Sequence, residues 1–311
     1  MADKPIICLG SAAWDTILQV DEIPSAGIKV LAKQAAQCAS GMAASAAVTI
    51  ARLGAPVEFW SRLGDDDTGA RYIRDFQAEG INTEWLRPFA GMTTPFSSII
   101  VDRHGERAVI PFYDAQFPAD TGWLPLQRVD QAAAVLVDVR WLEGAAALLT
   151  QARRCGVPAI LDADTAPPQV LQHLVPLASH VLFSEPALHI YTGAAYSEAA
   201  LPALAERLGC EAVGVTLGPL GAVMYHRGDA TVQHTPAPQV QAVDTLNAGD
   251  VWHGTFAWAL AQGKPLRTVV QMANVAAAMK CEVFGGNRGA PTLAALMARG
   301  ETLGFNWSGA R

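Results

Sequence analysis

The residues best suited to chemistry form the run Asp-Thr-Leu-Asn-Ala-Gly-Asp at positions 244–250, directly before a helical pattern over residues 251–262. Small residues at the entry to a helix leave its first N–H groups free, and the helix dipole attracts an anion such as a phosphate to them. The backbone amides of Asn247, Ala248 and Gly249 are therefore candidates for an anion hole that needs no cationic side chain.

Asp250 falls in the first turn of that helix, where its carboxylate would lie beside a phosphate bound at the helix start. From this place it could accept a proton from a hydroxyl group that attacks the phosphate. An isolated Asp at such a position more often only caps the helix. The specificity of the whole run favours a catalytic role for Asp250.

Short runs rich in β-branched residues alternate with longer helical patterns along most of the chain. The predicted strands are residues 5–9, 57–60, 134–138, 159–162, 180–183 and 212–216. The predicted helices between them are residues 42–53, 68–79, 143–155, 167–177 and 198–208. This alternation predicts an α/β fold with a parallel sheet that helices cover on both faces. Such a sheet binds ligands at the carboxyl ends of its strands.

Two segments break the alternation. Residues 29–38 alternate weakly like a strand, and residues 96–101 and 106–112 flank a polar turn that ends in Gly105, as in a hairpin. We predict that they form a small separate sheet, a lid over the mouth of the main sheet. Because an exposed sheet face needs a partner, the lid also predicts a homodimer.

No long linker or internal repeat divides the chain, so residues 1–311 are predicted to form one α/β domain. The lid is assigned to two insertions, at about residues 12–39 and 90–114. Residues 305–311 are predicted to be a loose tail.

The composition, 51% hydrophobic and 16% charged residues, is that of a globular protein with a sizeable core. The net charge of −7 provides no positive field for a nucleic acid or an anionic membrane surface. No apolar run reaches the roughly 18–20 residues that span a bilayer, and no export signal is visible. A cytoplasmic location is the default expectation. Phosphate-loop lysine, zinc-protease and Cys-x-x-Cys motifs are absent from the sequence.

The run at 244–250 is similar to Asp-Thr-x-Gly-Ala-Gly-Asp, the C-terminal signature of the PfkB, or ribokinase-like, carbohydrate kinases. Asn247 stands where Gly is commoner, and Asn tolerates left-handed backbone angles better than other residues with a side chain. Residues 41–54 resemble the N-terminal signature of the same family, and the likeness extends along nearly the whole chain. It implies a three-layer α/β/α sandwich and transfer of a phosphoryl group from ATP to a primary hydroxyl of a sugar.

The resemblance also implies a sugar site. Asp15 corresponds to the family's Asp that holds sugar hydroxyls, a task that suits a carboxylate because it accepts two hydrogen bonds at once. Gly41, Met42 and Ser45 fall in the N-terminal signature, and Ser45 occupies the place of an Asn that contacts sugar in many members. An Asp in a solvated loop is the alternative reading of Asp15.

For the nucleotide, the turn with Thr216, Gly218 and Gly221 resembles the family segment that lines the ATP site. Asn274 and the Gly-rich residues 285–289, with Gly286, match segments that close over adenine. In many members these segments also help to bind a monovalent cation such as K⁺.

Magnesium is expected with ATP, but the family's supporting Asn-x-x-Glu motif is replaced here. The matching run is Ser-Glu-Pro-Ala at residues 184–187, so Ser184 and Ala187 stand where both polar members are usual. Glu185 is the residue that could compensate as a metal ligand, and Ser184 is assigned to the nucleotide site.

Within the family, residues 137–141, 161–164 and 183–186 most resemble sulfofructose kinase and ketohexose kinase-like members. Arg140 follows a strand end and Lys29 begins the first predicted lid strand, so the two could clamp an anionic tail of the sugar. They could equally be surface charges on unrelated elements. The substrate expected is a ketose such as fructose, sulfofructose or a sugar phosphate. Two alternatives stay open: a nucleoside kinase of the same fold and a sugar-binding regulatory protein with weak catalysis.

Overall fold

The computed structural model of the protein describes residues 4–307. Its strands are β1 (Ile6–Leu9), β2 (Ala13–Gln19), β3 (Gln34–Ser40), β4 (Val57–Gly64), β5 (Leu86–Phe89), β6 (Phe96–Val101), β7 (Arg107–Phe112), β8 (Ala134–Val137), β9 (Ala159–Ala163), β10 (His180–Ser184), β11 (Ala212–Thr216), β12 (Ala222–His226) and β13 (Gln233–Thr235). Its α-helices are α1 (Met42–Arg52), α2 (Asp67–Ala78), α3 (Leu142–Cys155), α4 (Pro168–Leu174), α5 (Glu185–Thr192), α6 (Leu201–Leu208), α7 (Ala248–Ala261), α8 (Leu266–Cys281) and α9 (Leu293–Thr302).

The main sheet has nine strands in the order β13-β12-β11-β10-β9-β8-β1-β4-β5. Its pairs are parallel from β11 across to β5, and β12 and β13 add an antiparallel edge. The chain leaves β1 toward β4 on one side and returns to β8 on the other. This reversal of strand order opens a crevice at the carboxyl ends of β1 and β8, where sheets of this kind bind ligands.

Helices cover both faces of this sheet, as the alternating pattern predicts. Along β1, Ile6 and Cys8 join the core beneath α1, α7 and α8, whereas Ile7 and Leu9 join the core beneath α3 to α6. The two cores confirm the predicted α/β sandwich of three layers. Each inner strand is buried on both faces, which is why its sequence is almost continuously apolar.

The second sheet has four strands in the order β3-β2-β6-β7, and it confirms the predicted small sheet beside the main one. The strand predicted over residues 29–38 is wrong at its start, since β3 begins only at Gln34. The reason is pairing: β2 ends at Gln19, whose partner in β3 is Gln34, so residues 20–33 have no strand to pair with. Lys29 therefore lies in an exposed loop. The segment with Asp15, where no strand was predicted, forms strand β2.

The lid carries a concentration of exposed apolar side chains. Those of Ile28, Leu31 and Ile110 are 66%, 92% and 66% exposed. Such a face is of the kind that a partner protein covers. A homodimer through the lid stays a prediction.

The predicted loose tail is wrong for the part that the structure describes. Trp307 is buried, stacks on Phe305 at 5.4 Å between ring centroids, and packs over Gly300 of α9. Residues 308–311 lie outside the described residues. Within residues 4–307, no helix combines the length and the hydropathy needed to cross a membrane.

Helices α1 and α7, which begin at the two signature runs, pack backbone against backbone at Gly254. A Cβ atom added there would lie 2.6 Å from the carbonyl oxygen of Ala46 and 2.9 Å from its Cα. We therefore predict that Gly254→Ala lowers the free energy of unfolding by roughly 1–3 kcal/mol, the usual cost of overpacking. Urea unfolding measures this value.

The matched control is Gly249→Ala, which adds the same methyl group to the same helix. Nothing lies within 4 Å of a Cβ atom at Gly249, so this variant should keep or slightly raise stability. Equal stability of the two variants would contradict the close packing of α1 on α7.

Candidate active site

The run at 244–250 forms a loop that enters α7 at Ala248, as predicted. Asn247 is the N-cap and has φ 60°, and it is the one residue other than glycine with positive φ in residues 4–307. Its amide Nδ2 donates to the Asp250 carboxylate at 2.6 Å. Asn thus adopts the backbone shape that Gly usually supplies and also orients the candidate base.

The Asp250 carboxylate lies at the base of a cavity of about 540 Å³, which we call the first cavity. Desolvation by the surrounding protein, followed by the charge of Asp162, raises the pKa of Asp250 well above its usual range, whereas the Asn247 amide favours the ionised form. A carboxylate whose pKa is raised toward neutrality is a better proton acceptor than an ordinary Asp.

Asp162 and His253 lie beside Asp250, and neither of them was assigned a role from the sequence. His253 is buried, and its Nδ1 lies 2.8 Å from the Gly249 carbonyl oxygen and 3.4 Å from Asp162 Oδ2. Burial lowers the pKa of His253, so the ring is neutral and donates Nδ1–H to the carbonyl. Burial and the charge of Asp164 raise the pKa of Asp162 well above its usual range.

Asp15 lies on β2 in the wall of the first cavity and is only 5% exposed. Burial raises the pKa of Asp15 to about 6, against the opposing effect of hydrogen bonds from Ser40 and Ser97. The solvated-loop alternative for Asp15 is therefore excluded. Near neutral pH the group is an ionised acceptor with few competing waters.

The other residues predicted to bind sugar divide into two groups. Gly41, Met42 and Arg140 line the first cavity. Ser45 does not: it is fully buried, and its hydroxyl lies 3.3 Å from Ser40 Oγ and accepts a hydrogen bond from Asn287 Nδ2 at 3.1 Å. Its place on the inner face of α1 makes it part of the packing beneath the site. Lys29 is also absent from the lining, so the structure does not form the predicted clamp with Arg140.

Arg140 follows β8 and lies between two cavities. Its Nη1 donates to the Thr165 carbonyl oxygen at 3.0 Å, and Nη2 lies 3.7 Å from Asp164 Oδ2. It lines both the first cavity and a neighbouring third cavity of about 600 Å³. Aromatic side chains, including Phe117 and Trp141, form part of the wall of the third cavity.

A second cavity of about 430 Å³ lies on the other side of the loop at 244–250. Thr216, Gly218, Gly221 and Asn274, which are predicted to bind the nucleotide, all line this cavity. The side chain of Asn274 is engaged in the packing, since its Oδ1 accepts from Trp252 Nε1 at 2.7 Å and its Nδ2 donates to the Thr235 carbonyl oxygen. Asn274 therefore shapes the cavity wall.

Residues Thr245, Ala248 and Gly249 line both the first and the second cavity. The loop at 244–250 thus borders both spaces. A hydroxyl group in one and a phosphate chain in the other would meet at the start of α7, where the Ala248 N–H donates to the Thr245 carbonyl oxygen at 3.3 Å.

Two residues predicted to bind the nucleotide do not line the second cavity. Gly286 supports the loop, since its N–H donates to Asp244 Oδ2 at 2.9 Å. Ser184 lines the first cavity instead, where its hydroxyl donates to Asp164 Oδ1 at 2.9 Å and caps α5. Glu185 is exposed and lines none of the three cavities.

Arg107 is a site residue that the sequence did not reveal. It lies on lid strand β7 and donates from Nη1 to Thr245 Oγ1 at 2.7 Å, and Thr245 Oγ1 donates in turn to the Gly105 carbonyl oxygen. Arg107 lines both the first and the second cavity. Only the pairing of the lid strands brings its guanidinium to the catalytic loop, so no local motif marks it.

The buried state of Asp15 predicts a gain in stability when its charge is removed. Its folded pKa of about 6 exceeds the ordinary value of 3.8, so the folded protein binds the proton more tightly and stability falls as the pH rises through that interval. Asp15→Asn should therefore raise the free energy of unfolding at pH 7–8, by at most roughly 2–3 kcal/mol. Thermal unfolding from pH 4 to pH 8 measures this effect.

The difference between Asp15→Asn and the wild type should shrink toward pH 4, where Asp15 is protonated in the folded protein. Asp130→Asn, at an exposed site, is the control and should show no such trend. A constant difference across the pH range would contradict the raised pKa.

Known proteins resemble this chain along most of its length. The model of the pfkB family of carbohydrate kinases matches residues 3–293. Mouse (Mus musculus) ribokinase is 28% identical over 290 residues, which cover 90% of each chain. A crystal structure from Agrobacterium tumefaciens, provisionally assigned as a ribokinase, is 42% identical with a TM-score of 0.93, covering 97% of this chain and 98% of that one.

Arabidopsis thaliana ribokinase complexed with ribose and ATP has a TM-score of 0.80 at 24% identity, covering 95% of this chain and 98% of that one, and so shares the fold. The family model spans nearly the whole chain, including both signature runs. The chain belongs to the pfkB family of carbohydrate kinases.

Proposed function

We propose that the protein transfers the γ-phosphoryl group of ATP to a primary hydroxyl group of a sugar. Family membership supports ATP-dependent kinase activity. The observation that carries the proposal is the place of Asp250, a carboxylate with a raised pKa on the loop that borders both the first and the second cavity. The sugar would occupy the first cavity and ATP the second.

In the reaction, the sugar hydroxyl oxygen forms a bond to the γ-phosphorus, and the bond from that phosphorus to the β,γ-bridging oxygen breaks to release ADP. Asp250 takes the hydroxyl proton, and the Asn247 amide holds its carboxylate in place. The amides of Asn247, Ala248 and Gly249 stabilise the charge on the transferring phosphoryl group. Most of the rate enhancement would come from positioning and electrostatics.

Magnesium, when bound with ATP, neutralises charge on the phosphate oxygens. Asp162 and Asp164 line the first cavity and not the second, so their carboxylates, the hard oxygen ligands that Mg²⁺ prefers, fit an ion on the part of the phosphate chain that would face the first cavity. In residues 4–307, no three His, Cys, Asp or Glu side chains are grouped to hold a metal unaided, which agrees with an ion bound mainly through phosphates and water.

Asp15 supports the sugar half of the proposal. Its ionised carboxylate would accept hydrogen bonds from two sugar hydroxyl groups, while Gly41 and Met42 bring the start of α1 against the sugar. From the lid, Arg107 would contribute a cation to the phosphoryl group between the cavities. Residues of both the core and the lid would thus contact the substrates.

Arg140 is the residue that indicates which class of sugar the protein phosphorylates. Its guanidinium at the edge of the first and third cavities supports a sugar with an anionic substituent, such as a sugar phosphate or sulfofructose. Lys29 does not line the first cavity, so we propose that Arg140 alone binds the anionic substituent of the sugar. A neutral ketose such as fructose would leave the third cavity unfilled.

A nucleoside is the second candidate substrate, and the third cavity is the observation that favours it. Phe117 and Trp141 give this cavity an aromatic wall. The Cζ atom of Arg62 lies 5.3 Å from the ring centroid of Phe117 and 4.4 Å from that of Trp141. A base attached to a sugar in the first cavity would extend into this space. The regulatory alternative finds less support, because Asp250 and the loop that orients it are intact.

We predict that Asp250→Asn abolishes turnover while sugar and nucleotide binding stay measurable, because an amide cannot take the proton. Removal of a general base usually lowers kcat by about 10²–10⁴-fold. A coupled ADP-release assay measures turnover, and calorimetry measures binding. Asp229→Asn serves as the control with normal kcat. Wild-type turnover by Asp250→Asn would refute the mechanism.

We predict that Arg140→Ala raises KM about tenfold for sugars with a phosphate or sulfonate group and leaves KM for fructose and ribose nearly unchanged. The panel contains neutral sugars, sugar phosphates, sulfosugars and ribonucleosides, each assayed with ATP. Lys29→Ala is the matched control and should alter neither class. An equal effect of Arg140→Ala on neutral sugars would refute the anion site.

The same panel decides between the two candidate substrates. If ribonucleosides are the best substrates, Phe117→Ala should raise their KM and leave that of free sugars unchanged. If no nucleoside is phosphorylated, the second candidate is excluded.

A further inference from the structure

Lys280 is fully buried although it carries an ammonium group. It lies in the last turn of α8, and its side chain is 0% exposed. Moving an ammonium out of water is costly unless its charge and its N–H groups are satisfied. Burial lowers the pKa of Lys280, whereas the charge of Asp244 and its hydrogen bond to the ammonium oppose this shift.

The partners of the Lys280 ammonium are oxygen atoms of one residue. Nζ donates to the main-chain carbonyl oxygen of Asp244 at 2.6 Å and lies 3.1 Å from Asp244 Oδ2. Asp244 is itself fully buried. A carbonyl and a carboxylate oxygen together are the kind of ligands that a hard monovalent cation takes.

Asp244 joins three segments around this ammonium. Its carboxylate accepts the N–H groups of Leu246 at 2.8 Å, Gly285 at 3.0 Å and Gly286 at 2.9 Å. Its own N–H donates to the Cys281 carbonyl oxygen at the end of α8. The start of the catalytic loop, the end of α8 and the Gly-rich segment are therefore fixed to one another.

The family resemblance implies a K⁺ ion bound with the help of residues 285–289. The residues present do not fit such an ion at Asp244. The Asp244 carboxylate, which contacts this segment, already pairs with the Lys280 ammonium, and the same ammonium donates to the Asp244 carbonyl oxygen.

We propose that Lys280 is a positioning residue that replaces a bound monovalent cation: its ammonium neutralises Asp244 and fixes the loop whose amides receive the phosphoryl group. This inference rests on the proposed kinase activity for its kinetic part only. The wild-type protein then needs no K⁺ for catalysis or for nucleotide binding. Lys280 acts through Asp244 and is not a catalytic residue.

The first test uses the wild-type protein and compares KCl, NH₄Cl, NaCl and choline chloride at equal ionic strength. Kinase activity, ADP binding by calorimetry and thermal unfolding are each measured in the four salts. We expect all three to agree within about twofold in rate or affinity, with equal unfolding temperatures. A several-fold rise in ADP affinity or activity in KCl over choline chloride would overturn the proposal.

The second test compares Lys280→Ala, which opens a space beside Asp244, with Lys280→Met, which fills it with a neutral chain. Both variants should bind ADP and turn over at least about tenfold more weakly in choline chloride, because Asp244 loses its counter-charge. K⁺ or NH₄⁺ should restore ADP binding and thermal stability to Lys280→Ala and not to Lys280→Met. A purely structural lysine would give no such selective rescue.

Equal impairment of Lys280→Ala in every salt, or equal rescue of the two variants, would overturn the proposal. If Lys280→Ala does not fold in any salt, the wild-type comparison alone decides. If no sugar is phosphorylated by the wild-type protein, the proposed function fails, whereas ADP binding and unfolding still test the role of Lys280.

Discussion

The site depends on one buried carboxylate, that of Asp138 at the end of β8. It accepts the N–H groups of Ser11, Ala43 and Arg140 at 3.0, 3.1 and 2.8 Å, so it joins the exit from β1, the first turn of α1 and the exit from β8. A Cβ atom at position 10 would lie 2.0 Å from Asp138 Oδ2, so only glycine fits beside this carboxylate. The crevice at the reversal of strand order is therefore fixed before any ligand arrives.

The crevice that Asp138 fixes concentrates negative charge. Burial raises the pKa of Asp138, and its charge contributes to the raised pKa of Asp162, which in turn raises that of Asp250. Such repulsion opposes folding and opposes the approach of ATP. In the proposed reaction, the backbone amides at the start of α7, Mg²⁺ and the guanidinium of Arg107 from the lid would offset it. This balance agrees with a net charge of −7 in a protein proposed to bind a polyanion.

The sequence predicts most of the main sheet, because a strand buried on both faces must be apolar and the helices between strands have their own period. It also locates Asp15 and Asp250, which lie in local runs. It misplaces Ser45, because a position in a helix does not reveal whether the side chain points to a cavity or into the core. Arg107 and Lys280 cannot be found this way, since their partners lie 138 and 36 residues away along the chain.

The catalytic loop is held from two sides that differ in strength. On the lid side, the hydrogen bond from Arg107 to Thr245 is exposed, so water competes with it and its net contribution is small. On the core side, the contacts of Lys280 with Asp244 are buried, where loss of either partner would leave an unpaired charge. Contacts in the core therefore fix the geometry of the proposed anion hole. The lid adds the guanidinium of Arg107 to a loop that the core already holds in place.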